Sequence, residues 1–263
     1  MPDQLRARRA LPLFLTAVFA FLYVPIAVLV ALSFNASGLP TAWLGFSFKW
    51  YASLAANRAI LSAAFNTLIV ALVSTAIASL LGTLLALGVE MRARRGRALE
   101  ALIFAPMIIP DIVLAIALLS FFSMLNLRMG LHTIILAHVV FNLAFVCAVV
   151  RARLKSFDWS IMEASADLGA STFTTLRRIT LPIIFPAVAA GALLAFTLSV
   201  DEFVIAFFTA GAGRSSITLP MQIYAMIRFG ITPEINALAT IVMAVSVVML
   251  TLSQRLNRGP ALS

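Results

Sequence analysis

Charge is what this chain has least of. Only 11% of its 263 residues are Asp, Glu, Lys or Arg, against roughly 25% in a soluble domain, while 62% are hydrophobic and the mean hydropathy is +1.06. So little polar surface cannot cover so much apolar surface. Water is therefore excluded as the main solvent, which leaves a bilayer. Cysteine is nearly absent too: Cys147 stands alone in an apolar run, so no disulfide framework can form and it reads as a small core residue. No G-x-x-x-x-G-K-[ST] phosphate loop occurs, so no nucleotide site of that kind is expected in this chain. Neither Gly-x-Ser-x-Gly nor His-Glu-x-x-His is present. No catalytic residue, metal ligand set or bound cofactor is expected, and an intramembrane enzyme is a remote alternative. His132 and His138 lie six apart, off the i, i+4 spacing of helical ligand pairs, and read as interfacial or buried polar residues.

What is present is a series of long apolar stretches, at about 11–32, 62–89, 101–123, 132–150, 183–208 and 234–253. A spanning helix takes about 20 apolar residues, and in lipid each backbone group must be satisfied within its own segment. The expected fold is thus an all-α membrane protein of about six transmembrane helices, one membrane domain over 1–263. The first stretch exceeds the roughly 7–15 residues of a signal-peptide core and reads as a retained span. Between the first two stretches, Pro40, Trp43, Trp50 and Tyr51 suit a membrane–water interface.

Basic residues set the orientation. With a cytoplasmic N-terminus, the inside segments hold Arg6, Arg8, Arg9, Arg92, Arg94, Arg95, Arg97, Arg151, Arg153, Lys155, Arg177, Arg178, Arg255 and Arg258. The outside segments hold only Lys49, Arg58, Arg128, Arg214 and Arg228. This bias places both termini in the cytoplasm. It accounts for the net charge of +9 without a nucleic-acid partner and leaves some basic loops to meet anionic lipid.

The cytoplasmic loop 151–182 is long for a compact bundle. Ser160 and Glu163 have capping-box spacing, with Asp158 a rival cap. Gly169 stands where a two-turn helix would end, Ser171 or Thr172 can cap a second short helix, and Pro182 is expected to limit it. Helices this short need something to pack against: the bundle's own cytoplasmic end, or a partner.

Glu163-Ala164-Ser165, three residues, Gly169, nine residues, Ile179, one residue, Leu181-Pro182 resembles the "EAA" loop of bacterial ABC-importer permeases, with Ser165 replacing the second alanine. The resemblance implies a coupling helix that inserts into a groove on a cytoplasmic ATPase. Glu163, Ala164, Ser165, Gly169, Ile179, Leu181 and Pro182 would form the docking element. It also implies the partners: a homologous permease, with a heterodimer expected, two ATPase copies carrying the ATP and Mg, and a periplasmic binding protein, at the bacterial inner membrane.

Three acids fall inside apolar stretches: Asp111, Asp201 and Glu202. A charged group at mid-bilayer costs roughly 2.5–3.5 kcal/mol on insertion scales, so it faces a cavity or a partner. No Lys or Arg shares those stretches, so a path lined by these carboxylates suits a cationic substrate. Pro110 beside Asp111 predicts a helix break. The runs Ala105–Asp111, Phe196–Glu202 and Pro233–Thr240 are similar to the second permease of spermidine/putrescine importers. Where that family reads Asp-Asp, this chain has Asp201-Glu202. A permease for another small solute and an ion-coupled secondary transporter are the alternatives, the latter without a visible inverted repeat.

Overall fold

The computed structural model describes residues 2–39, 42–91, 97–230 and 232–257. Pro40, Arg92, Arg94, Arg95 and Arg258 lie outside them. Among the described residues the chain is helical, with one isolated antiparallel bridge, Asn35 to Phe46, and no strand. It divides into two compact units, one of Met1–Leu61 and Ile223–Ser263, the other of Ser62–Gln222.

In the first unit, α12 (Pro233–Asn257) packs on α1 (Pro2–Ser33) and α2 (Lys49–Ala56). The loop after α1 is organised by buried Asn35. Its side-chain carbonyl accepts from the Ser37 and Leu44 amides, and its amide group donates to the Ala42 carbonyl. Phe34, Phe46, Phe48 and Tyr51 cluster beside it, and Trp50 donates to the Asn35 carbonyl over 2.8 Å. Glu234 opens α12 and accepts from the Ser53 hydroxyl at 3.0 Å.

The second unit is built around α6 (Leu131–Leu154), which is apolar on all sides and buried along most of its length, as an interior helix must be. Against it lie α3 (Arg58–Met91), α4 (Arg97–Ile108), α5 (Asp111–Met124), α9 (Leu181–Asp201) and α10 (Val204–Thr209). Gly82 of α3 lets the two backbones approach. A Cβ there would stand 2.9 Å from the Val146 Cβ and 3.0 Å from the Leu143 carbonyl. Cys147 is fully buried in the cluster of Val146, Val150, Leu154 and Ile184, the place expected of a small core residue.

Four described helices are long and apolar enough to cross a membrane: Phe14–Ser33, Arg58–Met91, Leu131–Leu154 and Thr172–Asp201. The third apolar stretch is not one straight span. It is α4 and α5, bent by 113°, and counting this pair makes five. The cause is Pro110: its extended ψ of 136° ends the first helix, and its carbonyl starts the next by accepting from Val113 and Leu114. The fifth stretch is also divided, since α9 ends at Asp201 and α10 begins at Val204. The sixth lies in α12, which follows the shorter helix α11 (Leu219–Phe229) and of which Pro233–Val248 is a shorter apolar segment.

One local expectation fails. Pro182 does not limit the helix that Ser171 caps. That helix, α8 (Thr172–Thr175), continues through a π turn, Leu176–Thr180, into α9. Proline lacks an N–H and its ring crowds the carbonyl four residues back. The widened turn accommodates it, with the Leu181 amide reaching five residues back to the Leu176 carbonyl.

Candidate functional site: a docking loop and an acidic helix break

The loop 151–182 has two faces. Phe157 is buried, stacks edge-on with Trp159 at 5.1 Å, and joins Met162 and Leu176 against the Val150–Leu154–Ile184 core. This is the fold-back onto the bundle that the sequence left open. The outer face of α7 (Ser160–Asp167) is not covered: Ile161, Ala164 and Leu168, at i, i+3 and i+7, are exposed. Leu168 is 89% exposed and Phe173 69%.

The start of α7 is set by Asp158 rather than by a Ser160–Glu163 box. Asp158 accepts from the Ser160 hydroxyl at 2.7 Å and its amide at 3.0 Å, bonds that hold its carboxyl below the usual range. The end is a complete Schellman motif. Gly169, at φ +79°, donates to Ala166, and Ala170 donates to Ser165. Ser171 caps α8 through the Thr174 amide at 3.2 Å.

The seven motif residues therefore separate. Glu163, Ala164 and Gly169 are exposed on α7 and its terminal turn, and Leu181 and Pro182 are exposed at the base of α9. Ile179 is half-buried, while Ser165 is 6% exposed and shares a 2.8 Å hydroxyl bond with Thr175. The residue that departs from the family alanine thus faces inward and ties α7 to α8.

The three acids of the apolar stretches stand at the two helix breaks. Asp111 begins α5, where a carboxylate is favoured by the helix N-terminus. Glu202 sits between α9 and α10 and accepts from the Ile205 amide at 2.8 Å, starting α10. The two breaks are joined by packing of α5 on α10 through Leu114, Leu118 and Ile205. Asp201 differs. It ends α9, where the helix dipole disfavours an anion, is exposed, and among the described residues has no hydrogen bond or ion pair. Of the three, it has the least to do in folding.

Two polar groupings escaped the sequence. Arg151 pairs with both Glu90 and Glu100 and lies over the Phe104 ring, joining the ends of α3, α4 and α6. All three charges border apolar stretches, a signal that charge complementarity could have found. The other grouping is His138, buried on α6, whose Nδ1 is 2.7 Å from the Ser199 hydroxyl. That hydroxyl is in turn 3.2 Å from Ser74. His132 is exposed. Among the described residues no three His, Cys, Asp or Glu side chains converge on a metal position.

Comparison with known proteins adds the following. The family model described as "Binding-protein-dependent transport system inner membrane component" matches residues 78–259. The chain is 44% identical over 246 residues to the spermidine/putrescine transport system permease protein PotC of Escherichia coli (strain K12), covering 93% of this chain and 92% of that one. To the putrescine transport system permease protein PotI of the same strain it is 42% identical over 233 residues, covering 86% and 82%. Among solved structures, a bacterial ABC transporter involved in import of the acidic polysaccharide alginate aligns with TM-score 0.75 at 16% identity, over 95% of this chain and 96% of that one. The inward-facing MetNI methionine ABC transporter aligns with TM-score 0.63 at 20% identity, over 76% and 94%. At those identities the likeness is one of fold.

Proposed function

This chain belongs to the family of binding-protein-dependent transport system inner membrane components, and from that premise we propose that it is the permease subunit of an ATP-binding-cassette importer for a polyamine such as spermidine or putrescine. The names of its relatives and the unpartnered Asp201 support the cationic cargo. The observation that carries the machine is the two-faced loop: its inner side packs on the bundle while Ile161, Ala164 and Leu168 stay uncovered. An apolar helix face of this size suits insertion into a groove, and the groove belongs to a separate ATPase that carries the ATP and Mg. This chain itself binds no cofactor and catalyses nothing.

In this reading residues 1–263 form one permease domain, with α12 as a sixth span and both termini cytoplasmic, in the inner membrane of a bacterial cell. A homologous permease completes the path, two ATPase subunits dock on the two coupling loops, and a periplasmic binding protein delivers the polyamine. Closure of the ATPases on ATP moves the loops. Because α8, the π turn and α9 form one continuous helix from Thr172 to Asp201, a displacement at the loop is transmitted along about 45 Å of helix towards Asp201.

Affinity purification of the tagged chain from its native membrane in mild detergent tests the assembly. It should bring down a second permease and two ATPase copies per permease pair. Recovery of the chain alone from membranes that contain those proteins would refute it.

A further inference from the structure

The bond network around His138 has a direction. Ser199 Oγ stands 2.7 Å from His138 Nδ1 and 3.2 Å from Ser74 Oγ. With the ring hydrogen on Nδ1, the imidazole donates to Ser199 and leaves the Ser199 proton for Ser74. Nε2, buried without a partner, is then a bare lone pair, which a protein interior tolerates better than an orphaned N–H. The network runs from α6 through α9 to α3.

Its position on α9 matters. Ile184 anchors the start of that helix in the core, and towards its C-terminal end the buried face narrows to Gly191, Ala195 and Ser199, spaced i, i+4, i+8. Gly191 lies against Val146, where an added Cβ would meet Cγ1 at 3.4 Å. Small residues pack closely but set axial register weakly, since nothing interlocks. Ser199 is the polar member of this face and lies two residues, about 3 Å of rise, before Asp201. Immediately beyond, the backbone leaves the helix at Glu202. The tether therefore sits on the last turn before the break.

We propose that His138 is a positioning residue for the substrate carboxylates: by holding Ser199, it sets the end of α9 that carries Asp201 and Glu202. This inference rests on the polyamine reading given above. Without the tether the last turn of α9 frays, and Asp201 meets the passing ammonium group in a spread of positions rather than one. The imidazole does not touch the substrate.

The test uses the complete importer in proteoliposomes, with ATPase, sister permease and binding protein, and measures labelled putrescine imported per ATP hydrolysed. That ratio is insensitive to the number of correctly folded complexes, so a merely structural role would not move it. His138→Gln carries its amide past the Nδ1 position, and Ser199→Ala removes the acceptor. Both should lower the ratio about three- to tenfold. His138→Asn, whose amide nitrogen falls close to Nδ1, should restore most of it. If His138→Gln does not insert, Ser199→Ala, which loses a single oxygen atom, decides the matter alone. An unchanged ratio in these variants beside an active wild type overturns this inference only. No polyamine uptake by the wild-type importer overturns the substrate reading and this inference with it.

Discussion

Asp201→Asn should lower polyamine uptake by about ten- to hundredfold while leaving the folded protein at least as abundant in the membrane. A charge-assisted hydrogen bond contributes about 1.5–3 kcal/mol, and 1.4 kcal/mol is a factor of ten. The opposite signs for function and stability make the prediction sharp. At the C-terminal end of α9 a carboxylate opposes the helix dipole, so its neutralisation relieves a small unfavourable interaction. Asp111 and Glu202 should behave differently. Asp111 is favoured at the start of α5, and Glu202 is engaged with the Ile205 amide, so neutralising either affects folding as well as uptake. Labelled putrescine uptake, normalised to immunodetected protein, measures both quantities. Unchanged uptake by Asp201→Asn at low substrate would remove Asp201 from the path.

The second large effect belongs to the loop. Leu168→Asp should abolish coupled transport, lowering uptake more than thirtyfold, without disturbing insertion. Burying a leucine side chain is worth about 1.5–3 kcal/mol. An aspartate in the same groove adds the cost of a desolvated charge. Within this chain Leu168 is 89% exposed, so its loss leaves no internal cavity. Binding-protein-stimulated ATP hydrolysis should fall in parallel, because the motor no longer senses the permease. Gly169→Val should act in the same direction for a different reason: at φ +79° a β-branched residue is strained, although a Cβ there has open space around it. The Schellman turn would then re-aim α7. A Leu168→Asp importer that hydrolyses ATP and transports normally would show that this face docks nothing.

How much of this was legible in the sequence depends on the range of the interaction. Local signals were sufficient for the break at Pro110, the turn at Gly169 and a cap at Ser171 or Thr172, which the structure resolves to Ser171, because each acts through its own backbone neighbours. Membrane character followed from composition alone. Pro182 misled because the rule for proline assumes a regular i→i−4 ladder, and a π turn suspends that rule. Ser165 could not be placed because its orientation is decided by Thr175, ten residues on. The Arg151 clamp and the His138–Ser199–Ser74 network join residues 51 to 125 positions apart. No periodicity reports such pairings. Glu202 reads from the sequence as a path carboxylate, whereas its bond to the Ile205 amide, which starts α10, was not legible there.

Whether this chain forms a polyamine path driven by a separate ATPase is decided by uptake of labelled spermidine into proteoliposomes holding this chain, its sister permease and the ATPase, with binding protein outside and ATP inside. Spermidine should accumulate against a gradient only with both ATP and binding protein, and accumulation should stop when the ATPase is left out. Accumulation that persists without the ATPase, driven by a proton or sodium gradient, would show a secondary transporter instead.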